Sequence, residues 1–420
     1  MQSSDIKNKS TYKQIFADHW TEFIRHYPWY DTEHINNLVE SMLNCGNPKY
    51  MGYAEYRCTG CGLGFKLVSL SCKCYLCLSC GKVHTDNWVS QVCGSLFDCM
   101  CYRHIVLTMP CFMSELFSHK LCLLSALPRC GSNCLKDFYS RIKRKDLIPG
   151  FIVVLQTHGR NGSYNVHLHI IATSGGLDEK NKWNEITYFP YKLLHQMWQD
   201  YLLSMLEAEL GDLAELYVAT CRKDYPNGFV AYVDTKNPLN DCAALATYLA
   251  KYVVAPPISV RRIKGYDGHH VTYVYKSHKT DRIETEKVDV FTFIERMVRH
   301  ILPKGFKRIR YFGLHLTSKV KKFRALILDA LRRSGKIVKN TVKIIQKLNY
   351  RQRYKGASGI DPFICPYCGS EMELWEMYHP DYGTFYEGYD DYSEIYDAQK
   401  EEVKDREIKF SNIEQMLLPF

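Results

Sequence analysis

Two histidines stand one residue apart in the apolar run VHLHII, residues 166–171. Because alternate side chains of a β-strand lie on the same face, His167 and His169 would project together, about 7 Å apart along the strand. Two neutral imidazoles on one face form half of a divalent-metal site. A hydrogen-bonded core histidine with a chance neighbour would give the same pattern. The pair therefore needs a second motif to identify its chemistry.

The second motif is a pair of tyrosines, Tyr248 and Tyr252, in LATYLAKYVV. Four residues on a helix make just over one turn, so both phenols would share a face. The same spacing is common in ordinary helix packing, and the chain has 31 tyrosines. Lys251 between them would add a cation close to the phenols, although a solvated lysine is the simpler explanation.

Eleven of the 18 cysteines fall within residues 45–111. Their clustering in C-x-x-C pairs, without a secretory signal, indicates metal ligation rather than disulfides. Two of these pairs are separated by fifteen residues, a spacing typical of a four-cysteine zinc ribbon. The predicted ligands of one structural zinc ion are Cys58, Cys61, Cys77 and Cys80.

Other potential ligands remain unassigned near this ribbon: Cys45, Cys72, Cys74 and His84. They would either form a second zinc site, for which Cys45 and Cys72 are the candidates, or pack as ordinary side chains. Far downstream, CPYCG at residues 365–369 is half a ribbon with no evident second pair, and His379 is a weak third candidate ligand.

The His-x-His strand followed by a Tyr-x-x-x-Tyr helix resembles the HUH nucleases, and in particular the two-tyrosine rolling-circle transposases of bacterial insertion sequences. Those proteins carry an N-terminal zinc domain with a Cys-x4-Cys-x2-Cys run, which Cys72, Cys77 and Cys80 match and from which the extra Cys74 departs. The sequence LPKGF-x-x-x-R-x-x-G at residues 302–313 also resembles this family.

The resemblance implies an enzyme that nicks and rejoins single-stranded DNA through a 5′-phosphotyrosine, with Tyr248 and Tyr252 as nucleophiles. Mg²⁺ or Mn²⁺ would be the catalytic ion, and Zn²⁺ would be structural. The family carries an LQT-x-G sequence before the histidines, which makes Gln156 the candidate third ligand and His158 the alternative. A polar residue at a strand end can also simply cap a turn.

Three other functions fit parts of the pattern. A plasmid or phage replication initiator, or a relaxase-like nickase, uses the same chemistry. A non-catalytic zinc DNA-binding protein would bind DNA without forming an adduct. A hydrolytic metalloenzyme lacks a carboxylate base at any recognisable spacing.

The charge distribution favours a nucleic-acid partner. The chain is 46% hydrophobic and 24% charged, as in globular proteins, with a net charge of +10. Residues 371–407 carry thirteen acidic against three basic side chains, so this stretch is −10 and the rest is +20. The N-terminus lacks the apolar core of a signal peptide and no 18-residue apolar run exists, so we expect a cytoplasmic, nucleoid-associated protein. The residues expected to contact DNA are Lys251, Arg261, Arg262, Lys304, Lys307, Arg308 and Arg310.

The helix and strand patterns around these residues, together with the resemblance, predict an α+β fold. It would have an antiparallel-sheet HUH nuclease domain flanked by helices and an N-terminal zinc-ribbon-like domain. FIVVLQTHG and the histidine strand should form a hairpin. ATSGGLD should be a turn whose glycines admit the DNA backbone. The tyrosine helix should run from Asp241 to Val254, before two prolines.

The sequence divides into five predicted regions. They are N-terminal helices (1–40), a zinc-binding domain (41–95), an HUH catalytic domain with the tyrosine helix (100–275), a basic DNA-contacting region (276–356), and a CxxC and acidic tail (357–420).

Overall fold

The structure is a computed structural model, which describes residues 3–97, 100–234, 257–277, 280–333 and 349–388. The α-helices lie in four of the five described ranges, all except 257–277. They are α1 (Ser3–His26), α2 (Glu33–Leu43), α3 (Pro48–Met51), α4 (Leu78–Ser95), α5 (Cys111–His119), α6 (Leu121–Lys143), α7 (Tyr191–Leu210), α8 (Glu215–Asp224), α9 (Val290–Val298), α10 (Val320–Arg333) and α11 (Tyr350–Ser358).

The strands pair antiparallel throughout the described residues. They are β1 (Tyr53–Cys58), β2 (Phe65–Ser69), β3 (Tyr102–Leu107), β4 (Ile148–His158), β5 (Tyr164–Leu177), β6 (Trp183–Glu185), β7 (Ala231–Val233), β8 (Ile263–Tyr266), β9 (His270–Lys276), β10 (Ile283–Asp289), β11 (Ile309–Gly313), β12 (Met372–His379) and β13 (Gly383–Glu387). This mixture of helices and antiparallel sheets confirms the predicted α+β class.

The central sheet has the strand order β11-β4-β5-β3-β7, and β6 pairs with the C-terminal end of β5. The predicted β4–β5 hairpin is present, and its register places Gln156 opposite His167 and Val154 opposite His169. Directly opposed residues in an antiparallel pair project from the same face. The histidine strand is therefore an inner strand, flanked on both sides.

The two faces of this sheet pack against different helices. Val153, Leu168 and Ile170 belong to a core that also contains side chains of α5, α6 and α7. Ile152, Val154 and Ile171 face the other way, into a core with α4 and α10. His167 and His169 alternate with the first set and share the second face. They thus occupy the end of a face that is otherwise buried and apolar.

The predicted turn at ATSGGLD is wrong, because β5 continues in extended conformation to Leu177. A Cβ atom on Gly175 would lie 2.2 Å from the carbonyl oxygen of Asn184, and one on Gly176 would lie 3.0 Å from Ile148. Both glycines therefore allow neighbouring strands, rather than DNA, to approach closely.

The N-terminal helices form as predicted, with Pro28 beginning a short 3₁₀ turn between α1 and α2. Phe16 and Phe23 of α1 pack in one core with Tyr273 of β9 and Phe293 of α9. β8, β9 and β10 form a three-stranded sheet, in which the β8–β9 hairpin turns at Asp267 and Gly268. This packing joins the first helices to a region that follows the tyrosine motif in sequence.

A separate four-stranded sheet has the order β13-β12-β1-β2. It combines strands from the predicted zinc-binding domain with strands from the predicted CxxC tail, so strand pairing crosses those sequence boundaries. None of the helices in the described ranges is sufficiently long and apolar to cross a membrane.

The close approach of β6 to β5 generates a stability prediction. Gly175→Ala places a Cβ against backbone that cannot rotate away, at a cost of about 1–3 kcal/mol. We expect the thermal unfolding midpoint to fall by several degrees in differential scanning calorimetry. Gly265→Ala is the control, because its Cβ would meet no atom within 4 Å. Equal effects of the two substitutions would contradict this account of β5.

Candidate functional site

The two histidines of β5 meet at their outer ring nitrogens. The Nε2 atoms of His167 and His169 are 3.1 Å apart. Adjacent ligands of an octahedral ion at about 2.1 Å lie about 3.0 Å apart, so the two nitrogens are spaced as neighbouring ligands of one ion. His169 is 6% exposed and His167 is half-buried, which leaves one side of the pair accessible.

The inner ring nitrogens of both histidines are held by other groups. Nδ1 of His167 donates to the carbonyl oxygen of Asn165 at 2.9 Å. Nδ1 of His169 lies 2.9 Å from Nε2 of His104, whose ring stacks on His169 within 5° of parallel. Such hydrogen bonds fix the tautomer and the orientation of metal-binding histidines. Both Nε2 lone pairs are consequently directed into the same space.

The surroundings of His169 and His104 keep both imidazoles neutral. Burial, with nearby His167 and His104, lowers the pKa of His169 well below its usual value. Burial also lowers the pKa of His104 to about 4, against the opposing effect of Asp234. Only a neutral imidazole has a lone pair for a cation. His169 can therefore bind a metal ion at neutral pH without first losing a proton.

Gln156 is better suited than His158 to be the third ligand. Its Oε1 atom is buried and makes no hydrogen bond to any residue that the structure describes. A buried carbonyl oxygen without a partner is costly unless an ion or water satisfies it. The Nε2 atom of the Gln156 amide lies 3.4 Å from both ring nitrogens of His158, so His158 contacts the amide nitrogen and leaves the oxygen available. His158 itself is kept neutral, because burial lowers its pKa.

The predicted tyrosine helix, with Tyr248, Lys251 and Tyr252, lies outside the described residues. The preceding described segment ends at Asp234, whose backbone N donates to the carbonyl oxygen of His104. Asp234 therefore lies close to His104 and the histidine site.

The structure does not bring together the four cysteines of the predicted zinc ribbon. Cys58 and Cys61 lie with Cys365 and Cys368, whereas Cys77 and Cys80 lie with Cys45 and Cys72. Within each group, all four sulfur atoms are within 4.8 Å of one another. The local fifteen-residue spacing therefore gave a wrong grouping, because β12 pairs with β1 and brings a distant C-x-x-C pair to the first one.

The Cys45 group is formed between α2 and the start of α4. Sγ of Cys80 lies 3.7 Å from that of Cys45 and 3.4 Å from that of Cys72. Cys74 is directed elsewhere, with its Sγ 3.6 Å from the carbonyl oxygen of Leu38. Cys45 and Cys72 were predicted at a second site, and here they share a site with the downstream pair of the predicted ribbon.

The predicted DNA-contacting residues that the structure describes differ in their exposure. Lys304, Lys307 and Arg261 are exposed. The guanidinium of Arg262 donates to the carbonyl oxygens of Arg160, Pro257 and Val274, which commits that side chain to the fold.

Arg308 and Arg310 are likewise used inside the protein. Arg308 donates to the carbonyl oxygen of His300 and lies over the ring of Tyr75, and burial lowers its pKa. Arg310 donates to the carbonyl oxygen of Ser125 at 2.8 Å. These two arginines fix the segment that presents Lys304 and Lys307.

His104 was missed by the sequence reasoning, although it contacts His169 directly and is 4% exposed. The signal available was a single histidine inside the apolar strand YRHIVL. Its partner is 65 residues away, and only strand pairing brings them together.

Comparisons with known proteins agree with this architecture. Residues 150–322 match the family model described as "Putative transposase", and residues 15–109 match the IS91 "Transposase zinc-binding domain". The transposase for insertion sequence element IS801 from Pseudomonas savastanoi pv. phaseolicola is 30% identical over 345 residues, covering 80% of this chain and 82% of that protein. The "Putative transposase y4qJ" from Sinorhizobium fredii (strain NBRC 101917 / NGR234) is 24% identical over 341 residues, covering 77% and 84%. No solved structure matches the chain. On this sequence similarity, the chain belongs to the IS91 and IS801 family of transposases, enzymes that cleave DNA and transfer its strands.

Proposed function

We propose that this transposase nicks and rejoins single-stranded DNA by metal-assisted tyrosine transesterification during rolling-circle transposition, working at the nucleoid. The observation that carries the proposal is the 3.1 Å approach of the two Nε2 atoms of His167 and His169. The buried, unpartnered Oε1 of Gln156 lies on the strand position opposite His167 and supports a three-ligand site.

His167, His169 and Gln156 would hold one Mg²⁺ or Mn²⁺ ion. When bound, such an ion withdraws charge from a non-bridging oxygen of the scissile phosphate. The protein contributes the preset geometry, because the Nδ1 contacts of both histidines restrict the rotation of their rings. Little reorganisation is then needed when the DNA arrives.

We assign the nucleophile to Tyr248 or Tyr252. A phenolic oxygen would form a bond to phosphorus while the bond from phosphorus to the 3′-oxygen breaks. The phenol proton leaves as the nucleophile attacks, and the departing oxygen takes up a proton to become a free 3′-hydroxyl. Because a phenol has a pKa of about 10, positioning and charge withdrawal must supply most of the activation.

The covalent bond to tyrosine preserves the phosphodiester energy, so a 3′-hydroxyl can reverse the step without ATP. Two tyrosines permit two successive transfers, one for each end of a mobile strand. This capacity fits transposition, which must join new ends, and it fits the family to which the chain belongs.

The DNA is expected to approach over the loop between α9 and β11. Lys304 and Lys307 are exposed on this loop. β11 pairs with β4, and the backbone N of Leu155, next to Gln156, donates to the carbonyl oxygen of Arg308. Lys307 directly precedes Arg308, so this loop is held beside the proposed metal site. The positive charges of the two lysines would attract the phosphate backbone there.

The Cys45 group supports a structural zinc ion. Its four cysteines lie inside the residues that match the transposase zinc-binding domain. Sulfur atoms bound tetrahedrally at about 2.3 Å lie about 3.8 Å apart, close to the 3.4 and 3.7 Å separations at Cys80.

The nucleophile assignment is tested by covalent capture. Incubation with labelled single-stranded DNA and Mn²⁺ should give an adduct that resists denaturation, with the modified tyrosine identified by mass spectrometry. Tyr248→Phe combined with Tyr252→Phe should abolish the adduct and change the DNA dissociation constant by less than about twofold, because only the hydroxyls are removed. An adduct that survives the double substitution would exclude these nucleophiles. Binding without any adduct in the wild type would favour the non-catalytic alternative.

The role of His104 is tested through metal affinity. When Nε2 of His169 holds an ion, its Nδ1 carries the proton and donates to Nε2 of His104. His104→Ala removes this acceptor and should weaken Mn²⁺ binding by about 10–100-fold, measured by calorimetry or electron paramagnetic resonance. His104→Gln offers a carbonyl acceptor and should recover most of the affinity. Equal losses in both variants would indicate a packing role instead.

The approach surface is tested by salt dependence. Lys304→Gln with Lys307→Gln should reduce the slope of log affinity against log salt by about 1.4, since each lost phosphate contact removes about 0.7 for single strands. Lys180→Gln with Lys182→Gln is the charge-matched control, because this exposed turn follows the opposite end of β5. The same loss in both double variants would show a general charge effect and not a defined DNA path.

A further inference from the structure

The second cysteine group is built from the two ends of the chain. Sγ of Cys58 lies 3.4 Å from Sγ of Cys368, across 310 residues of sequence. Sγ of Cys61 lies 3.7 Å from both Cys58 and Cys365, the latter 304 residues away. The family matches end at residue 322, so they do not account for Cys365 or Cys368.

These separations fit a tetrahedral metal site. Four sulfurs at about 2.3 Å from a zinc ion lie about 3.8 Å from one another. A disulfide would need a bond of about 2.05 Å. Two of the four thiols, Cys58 and Cys365, are buried at 0% and 2% exposure, whereas Cys61 is partly buried and Cys368 is exposed.

The backbone gives independent evidence, because the two C-x-x-C segments adopt matching turns. The N–H of Gly62 donates to the carbonyl oxygen of Cys58 at 3.0 Å, and the N–H of Gly369 donates to that of Cys365 at 3.0 Å. Both glycines have positive φ, of 71° and 75°. Each segment therefore has the backbone geometry of a zinc knuckle, and the sulfur atoms of the two segments lie together.

Residues around the two C-x-x-C segments allow these segments to approach each other closely. A Cβ on Gly64 would lie 2.5 Å from Sγ of Cys365, so no larger residue fits there without displacing the sulfur. Tyr56 of β1 stacks on Phe363 with ring centroids 4.0 Å apart. The ladder between β1 and β12 ends with Cys58 opposite Met372. Strand pairing and ring stacking thus deliver the second knuckle to the first.

We propose that Cys58, Cys61, Cys365 and Cys368 bind one zinc ion, separate from the ion at the Cys45 group, in a zinc ribbon split between the two ends of the chain. The ion cross-links β1 to the segment that carries β12 and β13. Because the ligand pairs enclose more than 300 residues, the site is completed only when these two distant segments come together, as they do through the pairing of β1 with β12. Removing the ion should loosen the C-terminal strands from the N-terminal domain.

The proposal is tested by zinc stoichiometry of the full chain, measured by mass spectrometry of the metal. Wild type should carry two equivalents, and Cys368→Ser should carry one. Adding Cys58→Ser should remove no further zinc, because both residues serve one ion, whereas adding Cys77→Ser should remove the second. Cys111→Ser, which changes an exposed cysteine outside both groups, should retain two equivalents.

Two results would overturn the split site. Cys368→Ser could retain two equivalents, or Cys58→Ser and Cys77→Ser could remove the same ion, as expected for the ribbon Cys58, Cys61, Cys77 and Cys80. Cys368→His provides a conservative variant that keeps a ligand. It should retain two equivalents, and after Co²⁺ replacement it should lose part of the thiolate charge-transfer absorption.

A measurement on the wild type avoids any folding defect of the variants. Cys368 and Cys111 are both exposed, so an alkylating reagent can reach both thiols. In the zinc-loaded protein we expect Cys368 to react at least about tenfold more slowly than it does after chelation, whereas the rate at Cys111 should not change. An equal rate at Cys368 before and after chelation would overturn the proposal.

Discussion

The fixed orientation of two imidazoles on one inner strand is the constraint on which the proposed chemistry depends. Alternation along β5 gives His167 and His169 a common face, but it does not set the direction of their rings. The carbonyl oxygen of Asn165 and the ring of His104 do so, by engaging the two Nδ1 atoms. Because neighbouring strands supply Gln156 on one side and His104 on the other, the site requires an intact sheet.

The rest of the molecule holds this sheet between two differently built layers. One face is covered by α5, α6 and α7, and the other by α4 and α10. The N-terminal helices pack on α9 and β9, and the C-terminal strands extend the sheet of β1 and β2. Both ends of the chain therefore fold back on regions distant in sequence, and the cysteine groups lie where these returns occur. Metal ions at the proposed sites would reinforce this long-range packing.

Local patterns predicted local structure, and contacts across long sequence separations were the ones they could not predict. The hairpin that pairs Gln156 with His167 follows from period-two alternation and a glycine-containing turn. The grouping of Cys58 with Cys368 does not follow from local patterns. The C-x-x-C pair that begins at Cys77, separated from Cys61 by only fifteen residues, is the more obvious partner in the sequence. His104 reads as one polar residue in an apolar strand until β3 is placed beside β5. The glycines at 175 and 176 signal either a turn or a close strand approach, and only the position of β6 decides between them. Arg262, Arg308 and Arg310 appeared as phosphate contacts from charge alone, yet each donates to backbone carbonyl oxygens.

The most direct test of the central claim is anomalous diffraction from crystals of the full chain grown with Mn²⁺. The account predicts a single manganese peak about 2.2 Å from Nε2 of both His167 and His169, with Oε1 of Gln156 as a further ligand and a hydroxyl of Tyr248 or Tyr252 facing the open side. Manganese bound elsewhere, or both phenols separated from the imidazoles by packed protein, would contradict it.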